Sequence, residues 1–516
     1  MRRPSLDSLA QDSFDVAVIG GGVNGAGAAQ ELASRGYRVL IIDKGDFTQG
    51  ATGRSSRILH CGLRHLTPGS SAWEFARHPS RFLVACRNAR KSMVSQHQVA
   101  TTMGELVRPF KFCFPIYADG PYASWQVDAG FQLLNMLGPR GHSLDYVRHD
   151  RKTMDAVPYF RWLRDRDTLR GIAVFRDYQF VTAERIVIDT LKDACRLGAV
   201  ARNYTECRGA TRAGDGWELD LRDPLESAEA VTVRANVVIN ATGPWGDHTT
   251  AMLTGDKRQR MVGLKGIHII VRLPEELRDW GVMAITRNGE TLYCLPWNGM
   301  HYIGPTRTPY DENLDEVTAT AEEVDWVLAE ANHALPDLQL ARKDVLFTWA
   351  GIQPVTSDKC DPKGTRAIRI HDLASTGAPN MLMLTGGPII TYRIIGIELA
   401  DAVAQRVAPS REPKALSYKA SGFSAMLEGF DATTVPGSPP DQLLREIARE
   451  EQVQNLEDLC LRRTKLGYEH DQGCDDIEKT AGAVAGVLGW DEQRTRSEVE
   501  NYRDTIRRIF PNFQDD

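Results

Sequence analysis

The sequence predicts an α/β fold: a parallel sheet wound with helices at the N-terminus, an inserted antiparallel-sheet domain, and a helical C-terminal domain. Three observations carry this. First, Phe14 to Ile19 (FDVAVI), a glycine-rich turn, a helical stretch from about Asn24 to Ser34 and Tyr37 to Asp43 (YRVLIID) read as strand, turn, helix and strand, a βαβ unit. Second, GIHIIVRL, TLYCLPW and MHYIGP within 263–305 read as antiparallel strands. Third, 441–516 reads as three or four helices, behind a stretch rich in Pro, Ser and Gly over 409–440 that reads as a linker.

Along the chain, a polar loop fills Thr48 to Leu66, and a helical pattern runs from about Ala72 to Arg90 with a break or restart at Pro79. Residues 101–125 mix short apolar runs with Pro and Gly, as strands and turns do. A helix from Glu184 to Leu197 precedes strands near Val200 and Trp217. A buried strand, Asn236 to Asn240, leads into ATGPWGDH, and Met381 to Leu384 runs into Gly386-Gly387 and a helix from Thr391 to Arg406. The first domain is therefore drawn from 1–90, 170–262 and 350–410, the inserted one from 91–169 and 263–349, the linker from 411–440 and the helical domain from 441–516.

The first unit carries Gly20-x-Gly22-x-x-Gly25 directly after its strand. Glycine there permits a tight turn and close approach of a pyrophosphate, whose charge meets the positive end of the helix. Asp43 closes the second strand 18 residues after Gly25, where a carboxylate accepts hydrogen bonds from a ribose diol. This is the Rossmann-type dinucleotide signature in its full context. Ala241-Thr242-Gly243 and Gly386-Gly387 follow two further strands, and three strand ends converging on one cofactor favour FAD over NAD.

Composition excludes other classes. The chain has 516 residues, 42% hydrophobic and 25% charged, with net charge −6 and a pI near 6.1. That is a multidomain globular protein without the basic excess a nucleic-acid binder needs. Nine cysteines, widely spaced and without a C-x-x-C pair, predict neither a disulfide framework nor a metal site. A polar start and the lack of an apolar run of 18 residues predict a protein of the cytoplasm or its membrane face.

GGGVNGAG, ATGRSSRILHCGLRHL (Ala51 to Leu66), NATGPWGD, KGIHIIV, YIGPT, FTWAGIQPV, GGPIITYR and LRRTKLG (Leu461 to Gly467) resemble, in order, the FAD-dependent glycerol-3-phosphate dehydrogenase and oxidase family. The resemblance implies oxidation of the secondary alcohol of a polyol phosphate, chiefly sn-glycerol 3-phosphate, with hydride passing to flavin N5 and electrons onward to quinone or oxygen. It implies Gly20, Gly22, Asn24, Gly25, Asp43, Ser55, Ser56, Thr242, Gly243, Gly386 and Gly387 around the cofactor. It places His60 near the reacting carbon, His268 near the flavin, and Arg64, Gln353, Arg307 and Arg393 at the substrate. His60 is the first candidate base and His268 the second; the helix after Gly387 is to stabilise the anionic end of the reduced ring.

Three departures stand out. Pro388 replaces a lysine, Gln353 an arginine, and Arg307 an acidic residue of the family pattern. Cation placement governs phosphate binding, so the pocket is expected to be rebuilt around Arg307. That keeps open a different substrate, such as erythritol phosphate, or an FAD-binding relative without this activity. The stretch Pro121 to Leu137 falls where relatives touch a membrane, but no Lys or Arg lies on it before Arg140, so a helix covering the core is expected there, with peripheral membrane contact left open.

Overall fold

The computed structural model describes residues 1–66, 79–226, 230–419 and 439–513. Two sheets organise it. The first is parallel across five strands, in the order Met381–Thr385, Val231–Asn240, Ser13–Ile19, Val39–Ile42 and Val200–Arg202, with Arg369–Asp372 antiparallel at one edge. Ser13–Ile19 is buried from its second residue to its last and Val39–Ile42 throughout, which is why both read as unbroken apolar runs. The register sets Ile19 beside Asn240 and Ile42, and Asn240 beside Met383. The turns after these strands therefore open on one edge of the sheet, where α/β proteins bind ligands.

The helix Val23–Ser34 (VNGAGAAQELAS) is buried on nearly every side. Its small residues allow that. A Cβ on Gly396, in the helix Tyr392–Ala404, would lie 2.6 Å from the Gly27 carbonyl oxygen, so the two helices cross with backbones in contact. The helix Ala183–Leu197 packs on its other side.

The second sheet has eleven strands and is antiparallel apart from the pairing of Trp280–Ile285 with Val107–Tyr117. It claims two stretches that the sequence reading gave to the first domain. Leu169–Phe180 pairs along Val107–Tyr117, and Val345–Asp358 along Met261–Val271, so 170–180 and 350–358 belong to this layer. Local composition does not show this, because the partner of each strand is distant in sequence.

Smaller expectations also shift. The helix expected over 72–90 is described from Pro79 to Thr102, and 72–78 lie outside the described residues, as does most of the linker, 420–438. The helix expected from Thr391 starts at Tyr392 behind a single tight turn, Ile389–Thr391. Ser124–Leu137 is a helix that packs Val127, Phe131 and Leu134 into the core while Trp125 (61% exposed) and Met136 (81%) face outward. The C-terminal helices Asp441–Glu450, Ile477–Leu488 and Glu492–Ile509 surround a widened π-helical turn, Asp458–Arg463.

Candidate active site

The glycine turn divides its labour. A Cβ on Gly20 would sit 2.6 Å from the Ala241 carbonyl oxygen, and one on Gly25 1.9 Å from that of Gly20, so these two serve packing of the turn itself. A Cβ on Gly22 would meet only Thr52 Oγ1, at 3.3 Å. Gly22 faces open space. It precedes the helix Val23–Ser34 with no side-chain cap, which leaves a helix N-terminus with its positive end toward that space.

Asp43 is aimed at the turn: Gly21 N donates to Oδ2 at 2.7 Å and Gly45 N to Oδ1 at 3.1 Å. Burial pushes its carboxyl up to about 6 against the pull of these two bonds. Asn24 Nδ2 donates to the Gly387 carbonyl at 3.0 Å, joining the first turn to the last. Gly386 (φ 73°) and Gly387 (φ 92°) both adopt left-handed backbone there. Thr242 Oγ1 donates to Asn240 Oδ1 at 2.7 Å, and a Cβ on Gly243 would meet nothing within 4 Å. Asn24 Oδ1 and Trp245 Nε1 are buried without a partner. A crevice with free space at Gly22 and Gly243 and two orphaned polar atoms fits a large polar cofactor such as FAD.

Next to the crevice lies a group of cations. Arg366 feels Arg64 and Arg307 as like charges, and burial together with them pushes its guanidinium down to about 10. Burial likewise lowers Arg64. None of the three forms a salt bridge among the described residues, and Arg64 Nε and Arg307 Nε are buried without partners. Arg366 is solvent-exposed, and Arg64 and Arg307 are half-buried. Tyr293 joins the group, with its ring centroid 5.6 Å from that of His60. His60 is held well below its ordinary pKa by burial, then Arg64, then Arg366, so its imidazole is neutral at pH 7.

His268 is 2% exposed. Its Nε2 shares a 3.1 Å hydrogen bond with Ser56 Oγ, its ring lies against Trp349 and Tyr302, and burial followed by Arg57 brings its pKa down to about 3. Ser55 Oγ accepts from Arg57 N at 3.4 Å. Gln353 is exposed and shares a strand face with Gly351 and Trp349.

Arg393 does not join this group. Its Nε donates to Tyr392 Oη at 3.0 Å and its Nη2 to the Tyr418 carbonyl at 3.2 Å, and the guanidinium lies over the Tyr418 ring. The sequence reading missed Arg366. It stands in the turn between Asp361–Thr365 and Arg369–Asp372, where no periodicity singles it out.

A glycine-turned parallel sheet joined to a second, largely antiparallel sheet is the architecture of a dinucleotide-dependent oxidoreductase. Residues 15–402 match the FAD dependent oxidoreductase family, and the chain belongs to it. FAD is its cofactor. The chain is similar to glycerol-3-phosphate dehydrogenase of Synechocystis sp., 28% identical over 97% of each chain. Glycerol-3-phosphate dehydrogenase 2 of Mycobacterium tuberculosis is 28% identical over 96% of this chain and 88% of its own. In fold it resembles the glycerol-3-phosphate dehydrogenase of Bacillus halodurans complexed with FAD, with a TM-score of 0.70, 21% identity, and 99% and 98% of the two chains covered. The L-alpha-glycerophosphate oxidase of Mycoplasma pneumoniae with FAD bound gives a TM-score of 0.58 at 16% identity, covering 79% of this chain and 98% of that one. No described helix is long and apolar enough to cross a membrane.

Proposed function

We propose that this enzyme oxidises the secondary alcohol of a polyol phosphate, sn-glycerol 3-phosphate foremost. The observation that carries the reading is the set Arg64, Arg307 and Arg366, crowded together with no salt bridge among the described residues, while Asp177, the carboxyl that Arg64 feels, is pushed by burial toward its neutral form. Like charges gathered at a cost persist where an anion is to be bound. The names of the relatives, glycerol-3-phosphate dehydrogenases, agree with a phosphorylated three-carbon alcohol.

In this reading Gly20 and Gly25 shape the turn, Gly22 and Asn24 receive the pyrophosphate and Asp43 the ribose. Ser55, Ser56, Thr242, Gly243, Gly386 and Gly387 line the rest of the cofactor. FAD, when bound, supplies a two-electron acceptor for hydride from the substrate carbon. The three arginines orient the phosphate, with Arg307 taking over the charge that the family keeps at Gln353. His60, neutral and beside them, takes the hydroxyl proton. His268, sealed between Trp349 and Tyr302, supports Ser56.

Bleaching of the bound flavin's visible absorbance by glycerol 3-phosphate, erythritol 4-phosphate and glycerol tests the substrate. Bleaching by glycerol 3-phosphate at the lowest concentration is expected, and none with any phosphorylated polyol would sink the reading. His60→Asn is expected to slow bleaching by roughly 10²- to 10⁴-fold and His268→Asn to slow it less. Gly22→Val isolates the cofactor claim, because the folded chain has room for the side chain and the pyrophosphate does not. It should purify folded but colourless.

Four exposed apolar side chains, Leu83 (67%), Val84 (54%), Trp125 and Met136, lie on two helices in contact, Pro79–Thr102 and Ser124–Leu137. They support peripheral membrane contact and a quinone as acceptor. Flotation with lipid vesicles tests this, and a chain that stays at the bottom of the gradient points to a soluble acceptor or oxygen.

A further inference from the structure

The C-terminal helices hold the chain segment that leads from the ribose carboxylate to the flavin wall. We propose that residues 458–468 are a cofactor-positioning element acting through residues 46–57, so that FAD binding and docking of the C-terminal helices are thermodynamically linked. The inference rests on the cofactor placement proposed above.

Residues 46–57 are gripped at both ends. Asp46, fully buried, accepts from Arg462 Nε at 2.7 Å, from Arg463 Nη1 and Nη2 at 2.7 and 2.8 Å, and from Asn203 Nδ2 at 2.8 Å. The widened turn Asp458–Arg463 brings two consecutive arginines to one carboxylate. At the other end, Tyr468 Oη donates to Glu184 Oε1 at 2.8 Å and lies 3.3 Å from the Gly53 carbonyl oxygen. Glu184 holds Arg57 through two 2.8 Å bonds, and the guanidinium lies 4.4 Å from the Tyr468 ring centroid.

What is gripped touches the cofactor crevice. Thr48 N donates to the Gly21 carbonyl at 3.2 Å, and Thr52 Oγ1 accepts from Val23 N, the first amide of the crevice helix, at 3.1 Å. Thr48 (φ 71°) and Arg57 (φ 55°) are in left-handed backbone, which β-branched and bulky residues keep only where their surroundings impose it. Undocked C-terminal helices would let this segment relax, and FAD would then have to reorder it. By linkage, bound FAD strengthens the docking equally.

The test uses the full chain as wild type, Arg463→Met, Arg463→Lys and Arg185→Met. Arg185 pairs with Glu451 at 2.6 Å and with Asp189 at 2.9 Å in the same junction, bonds that lie outside residues 46–57. FAD affinity of the apoprotein, followed by quenching of flavin fluorescence, is expected to fall about tenfold or more in Arg463→Met and less in Arg463→Lys. Arg185→Met should lower Tm comparably with FAD affinity unchanged. In the wild type, FAD should slow hydrogen exchange of amides in 458–468, a measurement that stands even if Arg463→Met fails to fold. Unchanged exchange, wild-type affinity in both Arg463 variants, or an equal loss in Arg185→Met would overturn the linkage. A wild type that binds no FAD removes the placement itself, and an affinity loss in Gly22→Val with none in Arg463→Met removes the linkage alone.

Discussion

Two groups of arginines, one at the C-terminal junction and one around Arg366, differ in one respect. At the C-terminal junction four guanidiniums have an acid, Arg57 with Glu184, Arg185 with Asp189 and Glu451, Arg462 with Asp46 and Asp458, Arg463 with Asp46, while a fifth, Arg54, donates to the Val317 carbonyl instead. Arg64, Arg307 and Arg366 form no salt bridge among the described residues, and Asp177, the carboxyl that Arg64 feels, is pushed by burial toward its neutral form. The carboxylates follow suit. Burial alone would raise Glu451, yet Arg185 brings it down to about 2, whereas the arginines around Arg366 are all the more crowded for being alone. Paired cations hold the fold, and unpaired ones wait for an anion.

The sharpest attempt to break this contrast is Arg57→Met, which strands Glu184 in the interior. Stability by chemical denaturation should fall by about 3–5 kcal/mol, the usual cost of orphaning half a buried pair. A loss under about 1 kcal/mol would mean that the junction is no more than surface decoration.

Arg366→Met should do the opposite. Relief of repulsion leaves Tm unchanged or higher, while KM for the phosphorylated substrate rises by roughly tenfold to a hundredfold, the worth of a charge-assisted contact of about 1.5–3 kcal/mol. If Tm falls as it does for Arg57→Met, Arg366 is structural and the contrast fails.

Inorganic phosphate should stabilise the wild type through the same cations, by about 1.4 kcal/mol when its concentration is ten times its dissociation constant. Arg366→Met should lose most of this gain. Equal thermal shifts in both proteins would place the anion elsewhere.

Acid sharpens the contrast further. His268 has a folded pKa near 3, below its ordinary 6.5, so the unfolded chain takes the proton first and stability falls as pH drops through 6.5. Between pH 7.5 and 5.5 this one group removes about 1.4 kcal/mol. Glu451, depressed to about 2 from 4.5, contributes stability that is lost only below pH 4.5. The stability lost over the upper range should shrink by about 1.4 kcal/mol in His268→Gln, with His65, His142 and His301 supplying slope that remains, and should not change in Glu451→Gln. Identical slopes for both variants would contradict the assignment.

The sequence made some of this legible and not the rest. The βαβ unit could be read because Phe14 to Asp43 carries its own periodicity and turn chemistry, and Gly20, Gly22 and Gly25 stand where a cofactor turn requires them. The strands Leu169–Phe180 and Val345–Asp358 were misassigned because sheet membership depends on partners far along the chain. Arg366 escaped because its meaning comes from meeting Arg64 and Arg307, and Arg393 was over-read because its motif says nothing of Tyr418. The clamp on Asp46 joins residues 416 apart, a distance at which no local pattern speaks.

The parallel sheet has a consequence for synthesis. Its cofactor edge is closed on one side by Met381–Thr385, yet the glycine turn it faces follows Ser13–Ile19. A ribosome adding about 5–20 residues per second completes the first βαβ unit roughly 20–70 s before that last wall emerges. Val39–Ile42 is covered once Val200–Arg202 is made, but the face of Val23–Ser34 that meets Tyr392–Ala404 has no native cover through the whole interval. The nascent chain must be shielded in the meantime, and flavin can be captured only near the end of translation.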